Sequence, residues 1–494
     1  MHRAIYLGLG AVLVSLLGGC SDEDPTAVTG CPEEDKVGDV CAGVPAAPVC
    51  DSDTCTAGVS CATTVPVDGD AALASAIAGA SAAACITLAP GSYGAVTLPG
   101  GVSLLGRAAA DVTVAGVKLA AGQGATIRGL SIGQGGLEID GATGVRIESV
   151  RVSGSAIAGV TAAAGSSGTI VTSTIAGSAR HGITLADGAD IHVESTIVEG
   201  SQGPGIWAAC SGDCDACSAP PQLSVQSSIV RDNHIGGIAL FGTTATFNGV
   251  YILRTKPGGP VWHHYEGGGG LSVASCSTLT ATALRVQDSA KFGVFIDNSG
   301  ADIGTEAMPG FDVDISRNVV GFWVQHTLRP VSLNAAMVEG NVGVSIGVGP
   351  GVGDPDAAPG ERVGIVICRS AIQNTAMAQL PVLDAFGDPS GQGEVGDGLT
   401  WLNVSKDGFG PSTVTMQGVE FSGNARVSML IDGATQGGSI KNVTLGSGEK
   451  PPVLQNSPPG GDQPAVENAP PLTPQQGTAL KPSAAPAVPS SSLE

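Results

Sequence analysis

The sequence predicts an all-β fold, a right-handed parallel β-helix solenoid with a short N-terminal capping helix. Three observations lead there. Short segments recur at 23-residue intervals with Ser or Asn at one fixed place. An alternating apolar and polar stretch precedes each recurrence. Glycine is abundant (75 of 494 residues) and aromatics are scarce (3%), while 42% hydrophobic residues are too many for a disordered chain.

The recurring segments are GSAIAGV (154–160), GSARHGI (177–183), GSQGPGI (200–206), DNHIGGI (232–238), DSAKFGV (288–294), RNVVGFW (317–323), GNVGVSI (340–346) and GNARVSM (423–429). Their second residues are Ser155, Ser178, Ser201, Asn233, Ser289, Asn318, Asn341 and Asn424. The first steps are 23, 23 and 32 residues, the long one carrying an insertion around CSGDCDACS. Upstream stretches such as TIVTSTIAGS and IHVESTIVEGS have the period of strands rather than helices. A unit this short cannot bury its apolar side alone, so the units must stack. About 13 coils at ~4.8 Å each give a rod on the order of 60 Å long.

At this point the chain resembles the pectate-lyase-like β-helix superfamily, across roughly residues 62–447. The resemblance implies that the Ser/Asn column is an inward polar ladder, hydrogen-bonding along the stack and satisfying turn amides. DGDAALASAIAGASAAACITLAPGSYGAV (68–96) resembles that family's capping helix and first coil, with Asp70 as the expected helix N-cap.

The chain opens MHRAIYLGLGAVLVSLLGGC, with a basic start at His2 and Arg3 and an apolar run from Ile5 to Leu17. About 13 apolar residues are too few to span a bilayer but suit a secretory signal. Leu17-Gly18-Gly19-Cys20 resembles the bacterial lipobox. That likeness implies a signal peptide over 1–19, lipid attachment at Cys20, and membrane association through acyl chains. Ser21 in the next position implies the outer membrane, with the protein on the cell surface or facing the periplasm.

Residues 20–61 read as a Cys-rich linker or cap, 62–449 as the β-helix, and 450–494, with 11 of the 31 prolines, as a disordered tail. Disulfides are the default for an exported chain. Cys31, Cys41, Cys50, Cys55, Cys61 and Cys85 could form three bridges, in any of 15 pairings. Cys210, Cys214, Cys217, Cys276 and Cys368 leave one over. The Cys210-x3-Cys214-x2-Cys217 cluster reads as a disulfide staple on the insertion, with a zinc site as the weaker alternative.

With 22 basic against 44 acidic residues, a net charge of −22, the chain is expected to be repelled by nucleic acid. Several places could carry chemistry. His181 stands where polygalacturonases have Gly-His-Gly, but Arg180 replaces the first glycine. That family's other motifs are missing, and only Asp187 and Asp190 lie nearby. Hydrolysis of a glycosidic bond needs two facing carboxylates, so His181 reads as a solvent-facing turn residue. The column before the ladder aligns as Ser153, Ala176, Glu199, Arg231, Arg254, Gln287, Ser316 and Glu339. Arg231 and Arg254 would then be stacked neighbours, either in a surface ion-pair ladder with Glu199 and Asp232 or as a clamp for anionic sugars.

The insertion RTKPGGPVWHHYEGGGG (254–270) adds Lys256, Trp262, His263, His264, Tyr265 and Glu266 as candidate polysaccharide-binding residues, beside the bland reading of a loop packed on the coil. The resemblance also implies calcium in lyases of this kind. Asp312 and Asp314 are the candidate pair, sharing one strand face. The expected function is non-catalytic binding of extracellular or cell-wall polysaccharide. The alternative is a β-helix lyase, epimerase or glycoside hydrolase acting on uronate-rich glycans.

Overall fold

The computed structural model describes residues 31–45, 47–50, 55–211, 217–258, 267–305, 310–326, 329–349, 364–383, 389–402, 412–433, 438–456, 463–475 and 480–483. The expected signal peptide and Cys20 lie outside the described residues. The described chain coils into a right-handed parallel β-helix with three faces, here A, B and C. Faces A and B merge into a 27-stranded sheet, and face C is a 15-stranded sheet. The 23-residue period appears directly in the register: Ile147 pairs with Ile170, and Ile170 with Val193. Inward Val, Ile and Leu side chains merge into one apolar core running from Val67 to Leu454. A parallel crossover packs its apolar side well in the right-handed sense, which twisted strands favour.

Two corners turn on single residues in the left-handed region. Thr172 (φ 44°) and Ser195 (φ 47°) bend face A into face B, and Gly177 (φ 64°) and Asp232 (φ 57°) bend face B toward face C. One residue at positive φ turns the chain sharply, and Gly does so without a Cβ penalty. In the strands Gln222–Arg231, Thr244–Leu253 and Thr278–Gln287 the A–B bend occurs within a single continuous strand.

The expected ladder is present, but its members differ. Asn233 Oδ1 accepts the Ser201 N–H at 2.9 Å, while its amide donates to Val198 O at 3.0 Å. Asn318 likewise accepts from Ser289 N at 2.9 Å and donates to Val286 O at 3.2 Å. Asn424 bridges Thr375 N and Ile372 O in the same way. By contrast, the hydroxyls of Ser178, Ser201 and Ser289 are buried without a hydrogen-bond partner among the described residues. The Asn side chains make the ladder; these serines fill space in it. Two further hydroxyl ladders, not foreseen, serve the other corners: Ser173, Thr196 and Ser228 accept successive amides at one, and Ser277 and Ser299 at the other.

The capping helix is Asp70–Gly79, with Leu73 buried against the first coil. Asp70 is its first residue rather than its cap. Gly69, at φ 88°, is the N-cap, and the Asp70 carboxylate accepts the Gly94 N–H at 2.7 Å. The segment 31–50 is a strap along face B and the A–B corner. Its hairpin, Lys36–Val37 with Val40–Cys41, buries Val37 and Ala42 against Ile197 and Ile229. It then runs back along the rod, with Gly43 N bonding Ser195 O, Val44 N bonding Thr174 Oγ1 and Val49 N bonding Arg107 O.

The disulfides are Cys50–Cys55, Cys61–Cys85 and Cys210–Cys217, and Cys276 is also bridged. Cys210–Cys217 answers to the expected staple; Cys214 lies outside the described residues. The boundary expected at 449 is corrected. Val453–Gln455, Ala465–Glu467 and Thr473–Pro474 continue the parallel ladders, so the solenoid runs well into the proline-rich region. Proline is tolerated there because the last strands lie at the sheet end.

Candidate functional site

Face C strands alternate inward and outward residues, and the outward ones on three successive coils are Thr161, Thr184 and Trp207, paired in register. Just before each strand, at the turn, stand Ala158, His181 and Pro204. His181 was expected to face solvent; it is 6% exposed. The reason lies one coil further on. Its imidazole stacks on Trp207 with centroids 5.4 Å apart and planes 16° from parallel, and Trp207 in turn tilts onto Phe241 at 4.7 Å.

The His181 and Trp207 rings form part of the floor of a groove of about 560 Å³. Ile157, Arg180, Thr161, Thr184 and Asp187 line it, with the Cys210–Cys217 staple at one end. Ile157 is 64% exposed, the most exposed of the large hydrophobic side chains among the described residues. An aliphatic side chain left open beside an aromatic plate and hydroxyls suits a ligand with both an apolar face and a polar rim. Asp187 is engaged: both its oxygens take bonds from Ser211, from the backbone N–H at 2.7 Å and from the hydroxyl. Asp190 is not across the groove but starts a face A strand, Asp190–Glu194. The groove therefore holds one carboxylate, already hydrogen-bonded, and no facing partner among the described residues.

The arginine column needs a correction. Arg231 does stack on Glu199, but its next neighbour is Leu253, not Arg254. Arg254 sits one residue further on, in the left-handed B–C corner at φ 52°. Arg231 is almost fully buried between Glu199 Oε2 at 2.8 Å and Asp35 Oδ1 of the strap at 2.6 Å, and it also donates to Glu34 O. Burial works against its charge, and Glu199 and Asp35 more than restore it. Arg254 pairs with Asp232 at 2.6 Å, and Lys256 reaches the same carboxylate at 3.5 Å. Further along the same corner, Arg317 and Asp288 pair at 2.8 Å. This is the ion-pair ladder rather than two arginines side by side.

Backbone bonds from Ala179, Gln202, His234 and Lys256 to Ser155, Ser178, Ser201 and Asn233 place these four donors in one column. Lys256 thus borders the same edge as Arg180. Trp262, His263, His264, Tyr265 and Glu266 lie outside the described residues.

Asp312 and Asp314 do not share a ligand position. Asp312 Oδ1 caps the Ala283 N–H at the A–B corner, and Asp314 takes a bond from Gln287 at 2.6 Å. The register sets Arg285 against Asp314, its guanidinium 4.4 Å over the Tyr251 ring. A cation already stands there, so the pair does not suit calcium. Among the described residues no three His, Cys, Asp or Glu side chains converge as a metal site would need.

The model of the right handed beta helix region matches residues 109–256. The fold is a right-handed parallel β-helix. No curated protein sequence matches the chain. Among solved structures, this β-helix is similar to the periplasmic alginate epimerase AlgG, at 13% identity over 84% of each chain with a TM-score of 0.39. It is also similar to the catalytic domain of a GH87 alpha-1,3-glucanase, at 12% identity over 82% of this chain and 69% of that one, TM-score 0.38. The pectate lyase Pel9A matches at 13% over 58% of this chain and 81% of its own, TM-score 0.35.

Proposed function

We propose that this β-helix binds polysaccharide, without cleaving it, in the face C groove floored by Trp207. The observation that supports the reading is the stacked His181–Trp207 pair beside exposed Ile157. A pyranose ring has an apolar face for Ile157, exposed above the buried indole, and hydroxyls for Thr161 and Arg180. The coil spacing of ~4.8 Å repeats such contacts along the rod axis, so an extended glycan would lie lengthwise. Lys256 extends the same edge, and Trp262 and Tyr265 follow it closely in sequence.

Non-catalytic binding is favoured because, among the described residues, the groove's one carboxylate is held by Ser211, whereas glycoside hydrolysis takes two carboxylates. We further propose that Cys20 is lipid-modified and anchors the chain to the outer membrane, a reading that rests on the Leu17-Gly18-Gly19-Cys20 ending.

Calorimetric titration of the soluble chain with a panel of neutral and uronate oligosaccharides tests the first reading. At least one ligand is expected to bind, and Ile157→Ser should weaken it about tenfold, the ~1.5 kcal/mol of a lost apolar contact. A melting curve of the variant controls for folding. Absence of binding across the panel, or chain cleavage during it, would overturn the proposal. Fatty-acid labelling that persists in Cys20→Ser would overturn the anchor.

A further inference from the structure

The strap ends in a pair of thiols. Cys31 and Cys41 carry no disulfide, although Cys50, Cys55, Cys61 and Cys85, the other cysteines of this region, are all bridged. The hairpin register pairs Lys36 with Cys41 and Val37 with Val40, so the chain doubles back and returns Cys41 toward its start. One carbonyl fixes the meeting: Asp35 O accepts the Ala42 N–H at 2.8 Å and lies 3.8 Å from the Cys31 sulfur. The Cys31 thiol is in hydrogen-bonding contact with the Cys41 thiol. Both are half-buried.

The enclosed residues hold the strap to the rod. Asp35 is the strap's ion-pair partner for Arg231, Glu34 O takes a second bond from the same guanidinium, and Val37 is the side chain buried on Ile197 and Ile229.

We propose that Cys31 and Cys41 form a disulfide that closes the strap's hairpin and clamps it on Arg231. The two thiols lose two protons and two electrons as one S–S bond forms. An incoming protein or small-molecule disulfide accepts them and leaves as two thiols, through a mixed-disulfide intermediate. Burial and the Cys41 thiol push the Cys31 thiol up to about 11. Once closed, the loop fixes Glu34, Asp35 and Val37 before they dock, so less chain freedom is lost when the strap lies down.

Peptide mapping tests this on the full chain exported to an oxidising compartment. The chain is denatured in acid without reductant, alkylated with iodoacetamide and digested with trypsin. Cleavage after Lys36 separates Cys31 from Cys41, which shares the tryptic peptide 37–107 with Cys50, Cys55, Cys61 and Cys85, so tandem mass spectrometry of the joined pair reads which of them holds Cys31. The expected result is that joined pair, with no carbamidomethyl group on either cysteine. Alkylation of both, or either one joined to a different cysteine, would overturn the assignment.

A second measurement uses Cys31→Ser with Cys41→Ser. Its far-ultraviolet circular dichroism should match the parent, while native cleavage after Lys36 should speed up at least tenfold. An unchanged cleavage rate in a folded variant would show that the pair does not clamp the strap. If the variant fails to fold, the mapping of the parent decides alone.

Discussion

The ladder makes a prediction that runs against its appearance in the sequence, where Ser and Asn look equivalent. Asn318→Ala removes the acceptor for the Ser289 N–H and the donor to Val286 O, both in the buried corner. Each orphaned backbone group costs about 1–3 kcal/mol. With the N–H and the carbonyl both affected, the expected loss is about 3 kcal/mol. Ser201→Ala is different. Its hydroxyl is buried with no partner among the described residues, so deleting it removes a desolvated polar group and leaves a void smaller than a methyl. The expected change is between zero and a gain of about 1 kcal/mol.

A long stack need not unfold in one step, so hydrogen exchange resolved by peptide is the right assay. Opening of the coils around Asn318 should become roughly a hundredfold more frequent in Asn318→Ala. Opening around Ser201 should be unchanged or rarer in Ser201→Ala. Equal effects at the two sites would refute the division between bonding and space-filling members.

Arg231→Ala should cost about 3 kcal/mol, because it strands Asp35 and Glu199 in a mostly buried site; limited trypsin digestion after Lys36 would show the strap releasing first. Burial pushes Glu148 up, but hydrogen bonds from Arg146 and Arg128 outweigh it and hold the carboxyl below its ordinary range. Asp232 is lowered in the same way by Arg254 and Lys256 against burial. Their contribution is fully present above the unfolded carboxylate value, about 4, and is lost as pH falls through the lower folded values. Melting of Glu148→Gln should therefore fall below the parent at pH 7 and converge with it in strong acid. Asp432 has the opposite sign. Burial raises it, only partly offset by bonds from Gln455 and Asn456, so its contribution is present in acid and lost as pH rises through its folded value. Asp432→Asn should melt higher than the parent at pH 7, with the gap closing toward pH 4.

The solenoid was legible because its period is written in the chain: equal steps between Ser155, Ser178 and Ser201 become equal steps between hydrogen-bonded strands. The arginine column failed by one residue for a reason also present in the sequence. Arg231-Asp232-Asn233 aligns with Leu253-Arg254-Thr255 and Gln287-Asp288-Ser289, and Thr255, buried and bonded to Gly268 O, is the ladder residue of that coil. Counting Thr among the ladder residues would have placed Leu253 beside Arg231. His181 could not be read from its own coil, since the indole that covers it arrives on the next one. The contact between Asp35 and Arg231 joins residues far apart in sequence, and no local pattern announces it.

The outward side of face C explains why the groove lies where it does. Its in-register column continues from Trp207 through Ala239 and Ser272 to Phe295 and Trp323. Left open, so long an apolar lane would invite association. The chain covers its far part itself: the hairpin of Ala378–Leu383 with Pro389–Val395 lays Leu380, Val382 and Val395 over Phe295 and Trp323. That cover is tied down at its base, where Arg426 grips the buried Asp397 and also donates to Glu394 O and Lys481 O. Further on, Leu480 packs against Leu430 and its in-register neighbour Val453. Among the described residues no such cover reaches the coils of Thr161, Thr184 and Trp207, where Ile157 instead stands open to solvent. A rod that shields the far part of one face with its own chain, yet leaves Ile157 open beside an aromatic floor, is the ground for proposing that a ligand covers this place.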